Sequence, residues 1–176
     1  AQDDEIIAAA SGTAYTGETG STSTALPTAQ KITESGSEGL TIAKLRTAKE
    51  TLDNSNVDPS IARHLVLGPR QVTDLLGTTE VTSSDYNTVK ALANGEVNSF
   101  LGFNFILSTR LDLTSSKRLC LAFASDGMKL ALGQDIMTRI DERSDKGYST
   151  QVYVCQSIGA TRMEEEKMVT IQAHEA

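Results

Sequence analysis

The spacing of apolar residues changes near residue 100, and this change does most to limit the folds open to the chain. Before it, in residues 42–76, apolar residues recur three or four positions apart, as on one face of a helix. After it, apolar and polar residues mostly alternate, as on the two faces of a half-buried strand. Helices and strands therefore do not alternate strictly, which predicts an α+β fold rather than a doubly wound parallel sheet.

Start and stop signals predict four helices. They cover residues 2–10 before Gly12, residues 42–54 after the N-cap Thr41, a helix from Pro69 to the stop at Gly77, and a helix from Thr82 or Ser84 to Gly95. Strands are expected at "RHLVLGP", from Phe103 onward with Phe103, Phe105 and Leu107 on one side, and at 118–124, 136–143, 150–158 and 168–173.

Two turns and one long segment complete this outline. "SDKGYS" at 144–149 predicts a hairpin tip in which Gly147 supplies a positive φ. "SDG" at 125–127 favours a hairpin turn, but "DGMKLALG" fits a short helix equally well, so both interpretations stay open. Residues 11–39 are rich in Gly, Ser and Thr and indicate a long loop or irregular extended chain, either mobile or laid across a partner.

The charge balance argues against two classes of partner. Acidic residues outnumber Lys and Arg by 23 to 16, and the formal net charge is −7. Proteins that hold nucleic acid or anionic membranes rely on clustered basic side chains, and no such cluster is present in the sequence. We therefore expect no sequence-specific nucleic-acid binding and no membrane partner.

Residues that could support chemistry are scarce. "GTAYTGET" at 12–19 is similar to a phosphate-binding loop, but Glu18 occupies the position that requires Lys. No serine has glycines two positions away on both sides, and His64 and His174 are the only histidines. Cys120 and Cys155 lack metal-type spacing and read as buried free thiols, while the carboxylate pairs lie in charged surroundings. We expect no enzyme activity, no metal site and no cofactor.

The segment "TRIDERSDKG" at 138–147 is the one charged stretch with two interpretations. It is either a solvated edge strand that its charges protect from aggregation, or a row of ion pairs that sets the register against a neighbouring subunit. The candidate subunit-contact residues are Arg139, Asp141, Glu142, Arg143, Asp145, Lys146, Gly147 and Tyr148.

Three segments of the sequence resemble the major capsid proteins of tailed bacteriophages. "TTEVTSSDYNTVKALANGEVNSFLGFNFILSTRL" is similar to their helix-to-strand passage, and "GQDIMTRIDERSDKGYSTQVYVCQSIGATRMEEEKMVTIQ" is similar to their C-terminal region. "DDEIIAAASGTAYTGETG" resembles the end of their long spine helix. The resemblance spans nearly the whole chain, and its specificity comes from that length.

The resemblance implies the Hong Kong 97-like capsid fold, with an axial domain of helices around a central sheet and part of a peripheral domain. Residues 1–24 would hold the end of the spine helix, 25–124 the axial domain, 125–165 the peripheral strands and hairpin, and 166–176 a strand returning to the axial domain. The family's N-terminal arm, extended loop and most of its spine helix would precede this chain, which we expect to be the C-terminal part of something longer.

The implied function is that of a structural subunit of an icosahedral phage shell. Its partners would be copies of itself in pentamers and hexamers, with scaffolding, portal or decoration proteins as further candidates. The protein would belong to the virion and assemble in the bacterial cytoplasm. The alternative is a β-rich attachment or decoration module of a virion or prophage, in which residues 11–39 would serve as a linker.

Overall fold

The computed structural model describes residues 2–33, 36–77 and 99–175. The helices in these ranges are α1 (Gln2–Ser11), α2 (Ile42–Asn54) and α3 (Pro69–Leu76). The strands are β1 (Ala14–Thr16), β2 (Thr22–Thr24), β3 (Lys31–Ile32), β4 (Arg63–Leu67), β5 (Ser99–Phe100), β6 (Phe103–Leu107), β7 (Leu113–Thr114), β8 (Lys117–Ala124), β9 (Met128–Arg143), β10 (Ser149–Arg162) and β11 (Met168–His174). This confirms the predicted α+β class. The helix predicted from Thr82 or Ser84 to Gly95 lies outside the described residues.

Helices α2 and α3 begin where the sequence signals place them, and α1 ends at Ser11, just before the predicted stop at Gly12. The Thr41 side chain accepts a hydrogen bond from the backbone N–H of Lys44 at 3.4 Å, so it caps α2. Pro69 occupies the first turn of α3, where its missing N–H costs nothing. In α1, Ile7 and Ala10 are buried.

A sheet of seven strands forms the body of the part that the structure describes. Its order is β3-β11-β8-β4-β6-β5, and β7 pairs with β8. The β4–β6 and β11–β3 pairs are parallel, whereas the other pairs are antiparallel. The last strand, β11, therefore lies beside β8 and brings the C-terminal residues back into the middle of the sheet.

Side chains on both faces of this sheet are buried: Val66, Leu121 and Met168 lie on one face, and a larger set lies on the other. The register of the sheet places this larger set of alternating residues on the same side, and these are almost completely buried: Leu65, Leu67, Phe103, Cys120, Ala122, Val169 and Ile171. Helix α2 packs against β11 and β3 and adds Leu45, Ala48 and Leu52 to the core. Each large aliphatic or aromatic side chain buried in this way contributes roughly 1.5–3 kcal/mol.

A buried lysine joins α2 to the sheet. Lys44 is buried, and its ammonium group donates to the backbone carbonyl oxygens of Glu38, Gly39 and Gln172 at 3.0, 2.8 and 3.2 Å. Those carbonyl partners replace the water that the charge loses on burial. The contact fixes the loop before α2 against β11.

The structure corrects the interpretation of residues 125–133. They form neither a short helix nor a hairpin turn, because β8 stays between β4 and β11 while β9 pairs only with β10. The turn at 125–127 instead carries the chain from one sheet into another. Gly127 is required there by packing, since a Cβ at this position would lie 2.9 Å from the Cβ of Lys167. Strand β9 therefore begins at Met128 rather than at residue 136.

Two smaller predictions were also wrong, and one was confirmed. Residues 11–39 are not wholly irregular, because β1 and β2 form a small hairpin and β3 joins the main sheet. Leu107 lies on the same side of β6 as Phe103, as predicted, although it is 62% exposed. Cys155 is only partly buried, since it lies on β10 outside the main sheet, whereas Cys120 is fully buried as expected.

Candidate assembly surface

Strands β9 and β10 form a two-stranded antiparallel ribbon that no other described strand joins. They contain 16 and 14 residues, and residues 138–154 at the distal end are exposed on both faces. A hairpin with two strands and no packed face is only marginally stable in water. The distal ribbon therefore gains little stability from the core of its own subunit.

The tip of the ribbon is a tight turn held by one ion pair. Gly147 has φ +64°, which confirms the predicted hairpin tip, and Tyr148 follows with φ +58°. The Arg143 guanidinium donates to both carboxylate oxygens of Asp145, at 2.9 and 2.6 Å. These bonds lower the pKa of the Asp145 carboxyl. The turn presents Tyr148 to solvent, with 74% of its surface exposed.

The two faces of the distal ribbon differ in character. Directly opposite residues of an antiparallel pair lie on the same face. One face, the apolar ribbon face, carries Ile140 opposite Val152 and Thr138 opposite Val154. Ile140 and Val152 are 69% and 61% exposed. Apolar side chains held this far from the core, and this exposed, are typical of a surface that another protein covers.

The other face, the polar ribbon face, carries Arg139 opposite Tyr153 and Asp141 opposite Gln151. These four residues and Met137 line an open groove of about 380 Å³. The ribbon therefore offers an apolar face, a polar face and two free strand edges within the described residues.

The eight residues that the sequence nominated all lie in this distal hairpin. Arg139, Asp141, Glu142 and Arg143 are on β9, and the other four form the turn and its exit. The structure brings Arg143 and Asp145 together. It places Arg139 and Asp141 two residues apart on one face, without a hydrogen-bond or ion-pair partner among the residues that the structure describes.

Sequence reasoning missed the residue that anchors the ribbon, Arg162 at the end of β10. Its side chain is fully buried. It donates to the carbonyl oxygens of Ala10 at 3.0 Å, Gly12 at 2.7 Å and Thr24 at 3.2 Å. Burial lowers the pKa of its guanidinium, which is nevertheless held by these acceptors. No local pattern marks Arg162 as an anchor, because the carbonyl groups that accept its hydrogen bonds lie far away in the sequence.

The structure brings together no recognisable reaction site in the ranges it describes. A cleft of about 640 Å³ lies beside the end of α2, where Arg63 pairs with Asp53 at 2.6 Å and donates to the Val57 carbonyl. No cluster of three or more His, Cys, Asp or Glu suited to a metal ion is found among residues 2–33, 36–77 and 99–175. Burial raises the pKa of the Cys120 thiol to about 12, so this thiol stays protonated at neutral pH.

The two histidines lie on different strands of the main sheet, His64 on β4 and His174 on β11. The His64 ring lies 5.6 Å from the ring of Phe123, and the backbone N–H of His174 donates to Glu38. Among the described helices, none is long and apolar enough to cross a membrane.

The described residues form a packed helix-and-sheet body that carries a long exposed ribbon. The chain belongs to the phage capsid protein family, whose model matches residues 1–175. Its fold is the Hong Kong 97-like capsid fold, as the sequence resemblance implied. No curated protein matches the sequence.

Solved structures with this fold include three from phages. The Mycobacterium phage Che8 chain is 17% identical with a TM-score of 0.65, and the match covers 81% of this chain and 53% of that one. The capsid of cyanophage P-SCSP1u is 18% identical with a TM-score of 0.67, covering 98% and 60%. The capsid of Helicobacter pylori bacteriophage KHP30 is 11% identical with a TM-score of 0.66, covering 98% and 64%. This chain thus spans between about half and two thirds of their lengths.

Proposed function

We propose that this protein is a structural subunit of an icosahedral phage capsid, which packs against copies of itself to enclose the viral genome. The observation that carries the proposal is the family match over residues 1–175. The exposed ribbon agrees with this proposal, because a shell subunit needs exposed surface that contacts its neighbours rather than a cavity that binds a ligand.

The chemistry of the ribbon fits such a role. Contacts through Ile140, Val152 and the charged tip would each be modest, since exposed ion pairs contribute only about 0.2–1 kcal/mol. A closed shell repeats each contact many times, so weak individual contacts give a stable assembly. Weak contacts also allow misplaced subunits to leave before the shell closes.

The same proposal assigns parts of the chain to regions of the shell subunit. Residues 25–124 and 166–176 would form the axial domain, which agrees with β11 lying in the main sheet beside β8. Residues 1–24 and 125–165 would belong to the peripheral domain, with Arg139–Tyr148 meeting neighbouring subunits. Pentamers and hexamers of this chain would be its principal assemblies, and the protein would be a virion component with no catalytic role.

Electron microscopy of the full-length protein tests the proposal. Expression in bacteria should yield closed hollow particles, and the unassembled 176-residue chain should sediment as a monomer or a weakly associated species. A full-length protein that stays monomeric and instead binds a glycan or a preformed shell would contradict the proposal and support the attachment or decoration module.

A further inference from the structure

We propose that the free edge of β9 pairs with the β9 edge of a second copy across a two-fold axis at Ile140, so that Arg139 of each copy faces Asp141 of the other. This rests on the proposed shell function and specifies one of its contacts. It would join two ribbons into a four-stranded sheet in the order β10-β9-β9-β10.

The first observation is that one edge of β9 pairs with no described strand and that two of its charged side chains form no ion pair among the described residues. Strand β9 hydrogen-bonds only to β10 within the described residues, so its outer edge is open to another strand. Arg143 is already occupied by Asp145. Arg139 and Asp141 are exposed, lie on the same face, and have no partner in the described part of the subunit.

The second observation is that β9 is self-complementary in one register. A two-fold axis perpendicular to the sheet leaves the apolar ribbon faces of both copies on one side and the polar ribbon faces on the other. Such an axis passes midway between one residue of β9 and the same residue of the second copy. With the axis at Ile140, Arg139 faces Asp141 twice, and Ile140 packs on Ile140 on the apolar ribbon face. Opposite charges directly across a strand pair stabilise it, while like charges destabilise it.

The neighbouring registers are worse. An axis at Arg139 or at Asp141 places a residue against its own like charge, and the axis at Asp141 also sets Arg139 against Arg143. An axis at Thr138 or at Met137 extends the pairing into residues 132–137, where the register of β9 shifts and the strand edge is irregular. An axis at Glu142 pairs Asp141 with Arg143, but that arginine is held by Asp145, and Glu142 then faces Glu142.

The other edge of the ribbon does not define a register. From Ser149 to Ser157, β10 carries no charged residue, so several pairings of this edge are nearly equivalent. Register is weakly specified where no side chain distinguishes one pairing from the next. The β9 edge is therefore the one that fits a second copy in a single arrangement.

Two single charge reversals test the pairing. Arg139→Asp places Asp against Asp141 of the other copy, and Asp141→Arg places Arg against Arg139. Sedimentation over a concentration series, at low salt, should show weak dimers for the unaltered chain. Each reversal should raise the dimer Kd by at least about tenfold, because two ion pairs become two like-charge contacts.

Mixing the two variants distinguishes pairing between copies from an effect within one chain. Opposite each other, the Arg139→Asp and Asp141→Arg chains form two ion pairs, one of the original polarity and one reversed, so the mixture should form heterodimers although neither variant dimerises alone. The matched controls are Lys129→Asp and Glu50→Arg, which make the same charge changes at exposed positions away from the tip. These controls should dimerise like the unaltered chain.

Each outcome decides the proposal. The pairing is overturned if the unaltered chain forms no dimer or if the two reversals leave the dimer Kd unchanged. It is also overturned if the mixture of variants does not associate, or if the control variants lose the dimer to the same extent. Circular dichroism checks that the variants fold, and Arg139→Glu with Asp141→Lys repeats the test if one does not. Particle formation by the unaltered full-length protein is scored separately: particles that form equally well with Arg139→Asp would leave the shell function intact and remove this contact.

Discussion

The guanidinium of Arg162 donates to the carbonyl oxygen of Ala10 at 3.0 Å, and this bond joins the base of the ribbon to the end of α1. The last carbonyl groups of a helix have no partner within the helix, so a cation is well placed there. The position of the ribbon on the body therefore depends on a contact between residues 152 positions apart in sequence.

Replacing this arginine should destabilise the subunit. Arg162→Leu would remove the donor from the buried carbonyl oxygen of Ala10 and from the partly buried one of Gly12, at a cost of about 1–3 kcal/mol for each oxygen that water does not reach. We expect the free energy of unfolding, measured by urea denaturation, to fall by about 3 kcal/mol. Arg143→Leu, which removes an exposed arginine on the same ribbon, should cost less than about 1 kcal/mol. Equal losses for the two variants would contradict the anchoring role.

Gly147→Val should damage assembly more than folding. Gly147 has φ +64°, a conformation that costs a β-branched residue about 1–2 kcal/mol, so the tip should change its turn. The site is open, with no atom within 4 Å of a new Cβ, so the core is not disturbed. Particle yield by electron microscopy should fall while the denaturation midpoint of the subunit changes little.

The matched control for the tip is Gly159→Val on the same ribbon. Gly159 also has open space around it but no positive φ, so valine should be accepted there. Particles that form from folded Gly147→Val protein at the yield of the unaltered protein would show that the tip has no role in assembly.

Glu175, which follows β11, should make stability depend on pH. Arg118 donates to both of its carboxylate oxygens, at 2.7 and 3.0 Å, and lowers the pKa of this carboxyl below its ordinary value of 4.5. Because the folded pKa is the lower one, the stabilisation is present above about pH 4.5 and is lost as the pH falls through the folded value.

Thermal unfolding of Glu175→Gln checks this dependence. At pH 7 the variant should be less stable by about 1 kcal/mol, since the pair is only partly shielded from solvent. The difference from the unaltered protein should shrink as the pH is lowered below 4.5. A difference that stays constant from pH 7 to strongly acidic solution would exclude the ion pair as its source.

The two cysteines should differ in reactivity. Cys120 is buried and its thiol has a pKa of about 12, so it should not react with a thiol reagent while the protein is folded. Cys155 is partly exposed on β10 and should react. Mass spectrometry after a short labelling pulse should find one modified thiol, and none in Cys155→Ser. Labelling of Cys120 at the same rate would contradict the core described above.

The sequence predicted the elements that local rules determine. The cap at Thr41, the proline at the start of α3 and the positive φ at Gly147 each depend on a few neighbouring residues, and all three are present in the structure. The capsid fold was predicted too, but from resemblance over a long stretch rather than from any local pattern.

Pairing partners could not be predicted in the same way. The segment from Met128 to Gly133 has no local feature that separates a strand from a helix, and only its pairing with β10 makes it extended. Arg162 is recognisable as an anchor only when the end of α1 lies beside it. The long exposure of the ribbon is likewise a tertiary property, because it depends on β9 and β10 pairing with no other described strand.

Hydrogen exchange of the ribbon backbone tests the central claim most directly. Amides of residues 136–155 should exchange quickly in dissociated full-length subunits and become strongly protected in assembled particles. Amides of β4, which are buried in the main sheet, should be protected equally in both states. Ribbon amides that exchange at the same rate in particles and in free subunits would contradict the claim that this ribbon is an assembly surface.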